Sequence, residues 1–479
     1  MTELKGALNQ VEIGSAPIER FRHLLDDDVR SELDREMDGL VAALRGRVLW
    51  NVNSTARGGG VAELLASLIP YDRDAGIDER WVVIEGSPDF FNVTKKIHTL
   101  LHGVDSDGAA LTEEDRRQYE QATSRNAAAL TEIIRPGDVA ILHDPQTAGL
   151  VPALSARGIH VIWRSHIGVD QPDDAVRNAW TFLRPYVTKA AACVFSRNAY
   201  VWEGLDPSRV RIIAPCIDPF ATKNEDLTGD TVTAILHAGG ILQGRDGEAT
   251  FKRHDGTRGH VVRTAHLEET ALPYEARIVL QVSRWDRLKD PIGVMDGFAG
   301  HIAPSTDAWL VLAGPAATSV KDDPEQPEIL DELTRRRQAM PSSVRTRIVI
   351  AQLPMEDTDE NAAIVNALQR RADVVVQKSL AEGFGLTVAE AMWKGRPVVA
   401  SRVGGIEDQI ESDKSGLLID DPKDLQAFGE AVVRLLADEA EARRLGAEAR
   451  RQVIRKFITP CHLIEQGRLI QEILSRTPA

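Results

Sequence analysis

Two series of short, continuous apolar runs, each run followed by a stretch of helical character, constrain this chain more than any other feature. The first series is VLWNVN at 48–53, RWVVIE at 80–85, DVAILHD at 138–144, IHVIWRSH at 159–166, ACVFSR at 192–197 and RIIAP at 211–215. The second is RIVLQVSR at 277–284, WLVLAG at 309–314, RIVIAQ at 347–352, ADVVVQKS at 372–379, PVVAS at 397–401 and GLLID at 416–420. A strand with one wet face alternates apolar and polar residues, whereas a continuous run has both faces covered. Such runs between helices predict parallel sheets in doubly wound α/β domains. Ahead of the first run, Ile18, Phe21, Leu24, Leu25, Val29, Leu33, Met37, Leu40, Val41 and Leu44 recur every three or four residues. That spacing predicts a helix with one apolar face.

With 479 residues the chain exceeds one ordinary core. The expected organisation is an N-terminal Rossmann-like domain at 1–219, an insertion or linker at 220–270, a C-terminal Rossmann-like domain at 271–455, and a C-terminal helix within 456–479 returning toward the N-terminal domain. The 220–270 segment contains GRDGEATFKRHDGTRGH at 244–260 and reads as a linker carrying a short hairpin. Open parallel sheets bind ligands beyond the carboxyl ends of their strands, so a cleft between two such domains is the expected binding place.

Composition narrows the function classes. A net charge of −15 argues against binding along a nucleic-acid backbone. No run of about 18 apolar residues is present, so no membrane span is expected. Met1 to Gln10 lacks the basic-then-apolar pattern of a secretory leader, and Cys193, Cys216 and Cys461 lack metal-ligand spacing. The expected compartment is the cytoplasm. Two Asp-x-Asp pairs, Asp72/Asp74 and Asp105/Asp107, read as solvated turns rather than metal sites.

Three motifs sit at strand ends. Ser54-Thr55-Ala56-Arg57-Gly58-Gly59-Gly60 follows the 48–53 run, and its glycines allow a tight turn and close approach to a phosphate or sugar hydroxyl. It matches neither GxGxxG nor GxxxxGK[ST], which removes support from dinucleotide oxidoreductases and P-loop NTPases. Arg284 and Lys289 lie on the loop leaving the 277–284 run, where two cations can hold a diphosphate as its bond to a sugar breaks. Glu382 precedes the turn Gly383-Phe384-Gly385, and Glu390 lies on the helix beyond, where carboxylates can accept hydrogen bonds from sugar and ribose hydroxyls. Backbone N–H groups near Leu386 and Thr387 would face an anion.

Glu382 to Glu390 fits the E-x7-E signature of retaining GT-B glycosyltransferases, and Arg284 with Lys289 fits their R-x4-K pair. VNSTARGGGVAELL at 52–65, WVVIEGSPDFFNVTK at 81–95, HDPQ at 143–146, WRSHI at 163–167, IDP at 217–219, QVSRWD at 281–286 and EGFGLTVAEAMWKG at 382–395 resemble the trehalose glycosyltransferring synthases. The resemblance spans nearly the whole chain except 220–270. It implies a GT-B fold and transfer of glucose from an NDP-glucose to free glucose, with retention of configuration and no essential divalent metal. It also implies roles. Arg284 and Lys289 hold the donor diphosphate, Glu390 the ribose and Glu382 the donor glucose. His166 lies beside the reacting carbon, Asp144 binds the acceptor, and Gly59 and Gly60 line the phosphate and acceptor side. Phe384, Gly385, Leu386 and Thr387 complete the donor site.

Retaining trehalose phosphorylases are close relatives of the same set and stay open as an alternative, as does another small acceptor. A GT-B epimerase and a non-catalytic sugar sensor are further rivals, the latter disfavoured by the presence of all four charged site residues. The expected partners are small sugars and a sugar nucleotide, with the donor base and a homodimer left open.

Overall fold

The computed structural model describes residues 2–4, 8–56, 59–103, 110–244, 247–316 and 325–476. The chain forms two compact units, Met1–Ile217 with Phe457–Ala479, and Asp218–Lys456.

The first unit holds an eight-stranded sheet of β1 (Thr2–Leu4), β2 (Leu8–Val11), β3 (Leu49–Asn53), β4 (Glu79–Val83), β5 (Val139–His143), β6 (His160–Ser165), β7 (Ala192–Phe195) and β8 (Val210–Ile212). The spatial order is β1-β2-β4-β3-β5-β6-β7-β8. All pairings from β4 to β8 are parallel, while β1 and β2 add an antiparallel edge that no apolar run announces. Every residue of β3 and β5 is buried, as continuous apolar runs require. Trp163, Phe195 and Trp202 pack together in the core, with Trp163 and Trp202 ring centroids 4.9 Å apart.

Helices cover both faces because their starts are chemically marked. Thr112 and Asp115 form a capping box for Glu113–Ile133, and Asp173 accepts from Val176 N at 2.9 Å ahead of Asp174–Val187. The helix expected from Ile18 begins instead at Asp27. Ile18–Phe21 is a separate 3-10 turn, and the extended backbone of Asp26 ends the first segment before Asp27 and Asp28 open the helix. The unit is completed by the helix Thr459–Ser475, whose Arg468 pairs with Glu32 on Asp27–Ala43.

The second unit holds β9 (Thr250–Lys252), β10 (Arg258–His260), β11 (His266–Leu267), β12 (Ile278–Val282), β13 (Trp309–Pro315), β14 (Ile348–Leu353), β15 (Val374–Gln377), β16 (Val398–Ser401) and β17 (Leu417–Ile419). Its main sheet runs β11-β14-β13-β12-β15-β16-β17, parallel except for β11. Strand order reverses beside β12, so the loops after β12 and β15 flank the topological switch point, where open α/β sheets bind ligands. In the first unit the corresponding place lies between β3 and β5.

Residues 220–270 are not a bare tether. They contribute the helix Gly229–Ala238, the hairpin β9–β10 and the edge strand β11, all within the second unit. Arg253 in the hairpin pairs with Asp357 at 2.7 Å, and Glu360 accepts from Val262 N at 2.6 Å and Arg263 N at 2.7 Å. The charged residues that read as linker are the groups that pin this segment to the helix Thr358–Arg371.

Candidate active site

In the second unit the predicted donor residues gather on the two switch-point loops. Leu380 N donates to Leu288 O at 2.7 Å and so latches the loops after β12 and β15 together, while Gln281 Nε2 of β12 donates to Lys289 O at 2.8 Å and holds the first loop to its own strand. Lys289 Nζ donates to both carboxylate oxygens of Glu382 at 2.7 Å, in a part-buried ion pair. Ser379 Oγ adds a third hydrogen bond to Glu382 at 3.3 Å. Arg284 is largely exposed, with Asp286 3.5 Å away. Asp290 adopts a left-handed backbone (φ 47°), caps Pro291–Gly297 through Gly293 N at 3.0 Å, and pairs with buried Lys378. Asp290 and Lys378 were not singled out from sequence, although Asp290 follows Lys289 directly and Lys378 lies inside the 372–379 run.

Gly385 sits at φ 83° as the N-cap of Leu386–Trp393, a conformation that a side chain makes costly. The turn is held from below: Gln409 Nε2 donates to Phe384 O, and a Cβ on Gly405 would lie 2.7 Å from Phe384 Cα. Thr387 Oγ1 donates to Gln377 Oε1 at 3.2 Å.

Glu390 lies deeper than a surface carboxylate. Its side chain is 4% exposed, with Lys223 Nζ 3.5 Å away. Beneath it Lys394 Nζ donates to Gln369 Oε1 at 2.7 Å and Asn224 Oδ1 at 3.0 Å, and burial lowers this ammonium to about 7, opposed by the charge of Glu390. Lys223 and Asn224 belong to the 220–270 segment that read as a linker. Nothing in the local sequence marks them, because their partners Glu390 and Lys394 lie about 170 residues away in the chain.

In the first unit Gly59 (φ 88°) caps the helix Gly60–Asp74, and both glycines are exposed. Arg57 and Gly58 of the same motif lie outside the described residues, as do Asp105 and Asp107. Asp144, at the end of β5, has φ 64°, and its Oδ1 accepts from His166 N at 2.8 Å. Asp144 and His166 lie together, and the carboxylate has a structural partner before any sugar arrives. Burial pushes it up to about 7, opposed by the His166 N–H and the charge of Arg164.

His143 and His166 stack at 5.3 Å between centroids and share a 3.0 Å contact between His143 Nδ1 and His166 Nε2. Behind them His143 Nε2 contacts Asn51 Oδ1 at 3.0 Å, and Asn51 Nδ2 donates to Glu79 Oε1 at 2.7 Å. Asn51, His143 and Glu79 were missed as site residues, since each reads locally as a polar residue inside or beside an apolar run.

Asp72 corrects one expectation. It is not a solvated turn but fully buried in Gly60–Asp74, because its register on that helix points it at the sheet beside Glu79. Burial pushes its carboxyl from 3.8 up to about 7, and Glu79 is raised well above its ordinary value by burial and by the neighbouring Asp72. A carboxyl raised on folding binds more protons folded than unfolded, so the unit loses stability as pH rises from 3.8 through about 7. Asp72→Asn is therefore expected to gain on the wild type by about 3 kcal/mol between pH 5 and pH 8. Thermal melts of both proteins across that range check this, and parallel curves would contradict it.

The fold is that of a GT-B glycosyltransferase. Sucrose-phosphate synthase from Thermosynechococcus elongatus has the same fold, with a TM-score of 0.61 over 90% of this chain and 100% of that one at 18% identity. An α,α-trehalose-phosphate synthase (UDP-forming) from Burkholderia vietnamiensis gives 0.63 over 88% and 98% at 15% identity. Residues 262–452 match the family described as glycosyl transferases group 1, and residues 51–202 match the trehalose synthase N-terminal domain.

The chain is 36% identical to the trehalose synthase of Rubrobacter xylanophilus over 98% of its own length and 99% of that protein, and 34% identical to that of Thermococcus litoralis over 93% and 94%. It belongs to the trehalose synthase family. A trehalose phosphorylase from Grifola frondosa is 28% identical over 81% of this chain and 52% of the longer protein. Among the described residues no helix is long and apolar enough to cross a membrane.

Proposed function

We propose that this chain transfers glucose from an NDP-glucose to free glucose, forming α,α-trehalose with the donor configuration retained. The observation that carries the reading is the Lys289–Glu382 pair at the switch point of the second unit, in a chain similar over its full length to trehalose synthases. A cation beside a carboxylate suits a sugar diphosphate: Lys289 and Arg284 take the diphosphate, and Glu382 accepts from glucose hydroxyls. Backbone N–H groups of Phe384 to Thr387 serve the same anion, and Glu390 takes the ribose.

In the reaction the anomeric hydroxyl oxygen of the acceptor bonds to the donor C1 on the face from which the β-phosphate oxygen leaves. The acceptor proton passes to that departing phosphate, giving trehalose and NDP. Charge grows on the phosphate, where Arg284 and Lys289 stabilise it, and no step is routed through a metal ion. His166 lies beside the donor sugar, Asp144 holds the acceptor, and Gly59 and Gly60 let both approach the backbone. The sugars are soluble small molecules, in keeping with a cytoplasmic enzyme.

Carbon NMR of the product from ADP-, UDP- or GDP-glucose and 13C-labelled glucose tests the reading. It expects an α,α-1,1 linkage with one NDP per trehalose, whereas donor hydrolysis alone, or a β-anomeric carbon, would refute it. Glu390→Gln is expected to raise the donor KM roughly tenfold, the worth of a charge-assisted hydrogen bond, with a smaller effect on kcat. Unchanged donor affinity would remove its ribose role. The phosphorylase similarity favours a second reading, with inorganic phosphate in place of the nucleoside diphosphate.

A further inference from the structure

Asn51, His143 and His166 form a continuous hydrogen-bonded chain whose direction follows from which end of the Asn51 amide faces Glu79. Asn51 Nδ2 is committed as a donor to Glu79 Oε1 at 2.7 Å, so the group that Asn51 turns toward His143 is its carbonyl oxygen. An oxygen acceptor requires His143 Nε2 to carry the proton, which leaves His143 Nδ1 as the acceptor of a neutral ring. The 3.0 Å contact with His166 Nε2 then requires the proton on that nitrogen. His166 Nδ1 is left with a lone pair.

The same logic operates on the other side of the histidines. Arg164 is buried and can only donate, so His462 Nε2, 2.8 Å away, accepts, and His462 Nδ1 donates to Ala214 O at 2.9 Å. The groups around His166 are thus His143, Arg164, His462 and Asp144, the last engaged by the His166 N–H. Burial, then the Arg164 charge, keeps the His166 ring well below its ordinary value, and burial lowers His143 to about 3. Both rings are neutral at physiological pH.

We propose that Asn51 and His143 are positioning residues that lock His166 in its Nε2–H tautomer, so that Nδ1 accepts a hydrogen bond from a sugar hydroxyl and cannot donate one. The contact with sugar rests on the reading of the reaction given above, whereas the tautomer does not. The lock extends to the acids behind it. The opposite direction would turn the Asn51 oxygen against Glu79 Oε1, which would then have to carry a proton and donate it.

Imidazole 15N NMR of the full chain at pH 7, with His143 and His166 assigned by single substitution, reads the tautomers directly. The proposal expects protonated Nε2 and unprotonated Nδ1 on both rings, and loss of the fixed His166 pattern in Asn51→Leu and His143→Phe. A His166 protonated on Nδ1, a doubly protonated His166, or a His166 pattern unchanged in both variants would overturn it.

In kinetics His143→Phe is expected to lower kcat roughly 10- to 100-fold, as loss of an orienting partner does. It is expected to have no further effect in a His166→Ala background. A further drop there would show that His143 acts on the structure and not through His166. A chain inactive with NDP-glucose and glucose would refute the reading of the reaction, and the ring spectrum would still decide the lock.

Discussion

Lys289→Met is expected to lower kcat/KM for the donor by about 10²- to 10³-fold, the usual consequence of removing one group that stabilises charge on a leaving oxygen. Methionine keeps the length and apolar stem of lysine while deleting the ammonium that donates to both Glu382 oxygens. The fold should survive, because the pair is partly exposed, Glu382 retains Ser379, and the loops remain joined by Leu380 N to Leu288 O. Steady-state kinetics with circular-dichroism melting separate the two effects. Activity within threefold of wild type would exclude Lys289 from the diphosphate site. Glu382→Gln combined with Lys289→Met should cost far less than the product of the single losses, because the two groups act as one unit.

Gly314→Ala is expected to be almost as damaging, although it touches no substrate group. Gly314 is the penultimate residue of β13, where a Cβ would fall 2.6 Å from the Ser283 carbonyl oxygen and 2.6 Å from the Trp285 ring. Trp285 has no room to retreat: it is fully buried, and its Nε1 donates to Pro315 O at 2.7 Å. The strain must move the backbone that carries Arg284. Overpacking of this kind costs about 1–3 kcal/mol, and a displacement of about 1 Å at a positioning group costs about 10²-fold in kcat/KM. Gly300→Ala is the control, since a Cβ there meets nothing within 4 Å. Equal behaviour of the two variants in melting and kinetics would contradict the account.

How far the sequence speaks depends on the range of the interactions. The parallel strands announce themselves because each is a continuous apolar run, and Arg284, Lys289, Glu382 and His166 could be named because they stand just beyond such runs. Strand order was not legible: the reversal beside β12 is set by packing between elements far apart in the chain. Nor was β2, whose four residues show no periodicity and which forms only because β4 offers an edge. The helix from Asp27 was seen but started too early, because apolar spacing continues through a backbone break at Asp26.

The hidden parts of the site are polar residues satisfied over long separations. Asn51 finds Glu79 28 residues away and His143 92 residues away, and Lys223 finds Glu390 across most of the second unit. A polar residue inside an apolar strand was the one available signal, and it gives no direction to a partner. Asp72 shows the reverse error, since an Asp-x-Asp pair suggests water until the helix register turns one of the two inward.

The most direct test of the central claim compares NDP-glucose with α-glucose 1-phosphate as donors to free glucose, following trehalose and the leaving group together. The account predicts trehalose from the nucleotide donor, with one NDP released per trehalose and little or none from the sugar phosphate. Trehalose formed from α-glucose 1-phosphate alone, with release of inorganic phosphate, would contradict it and assign the Arg284–Lys289 site to a phosphorylase.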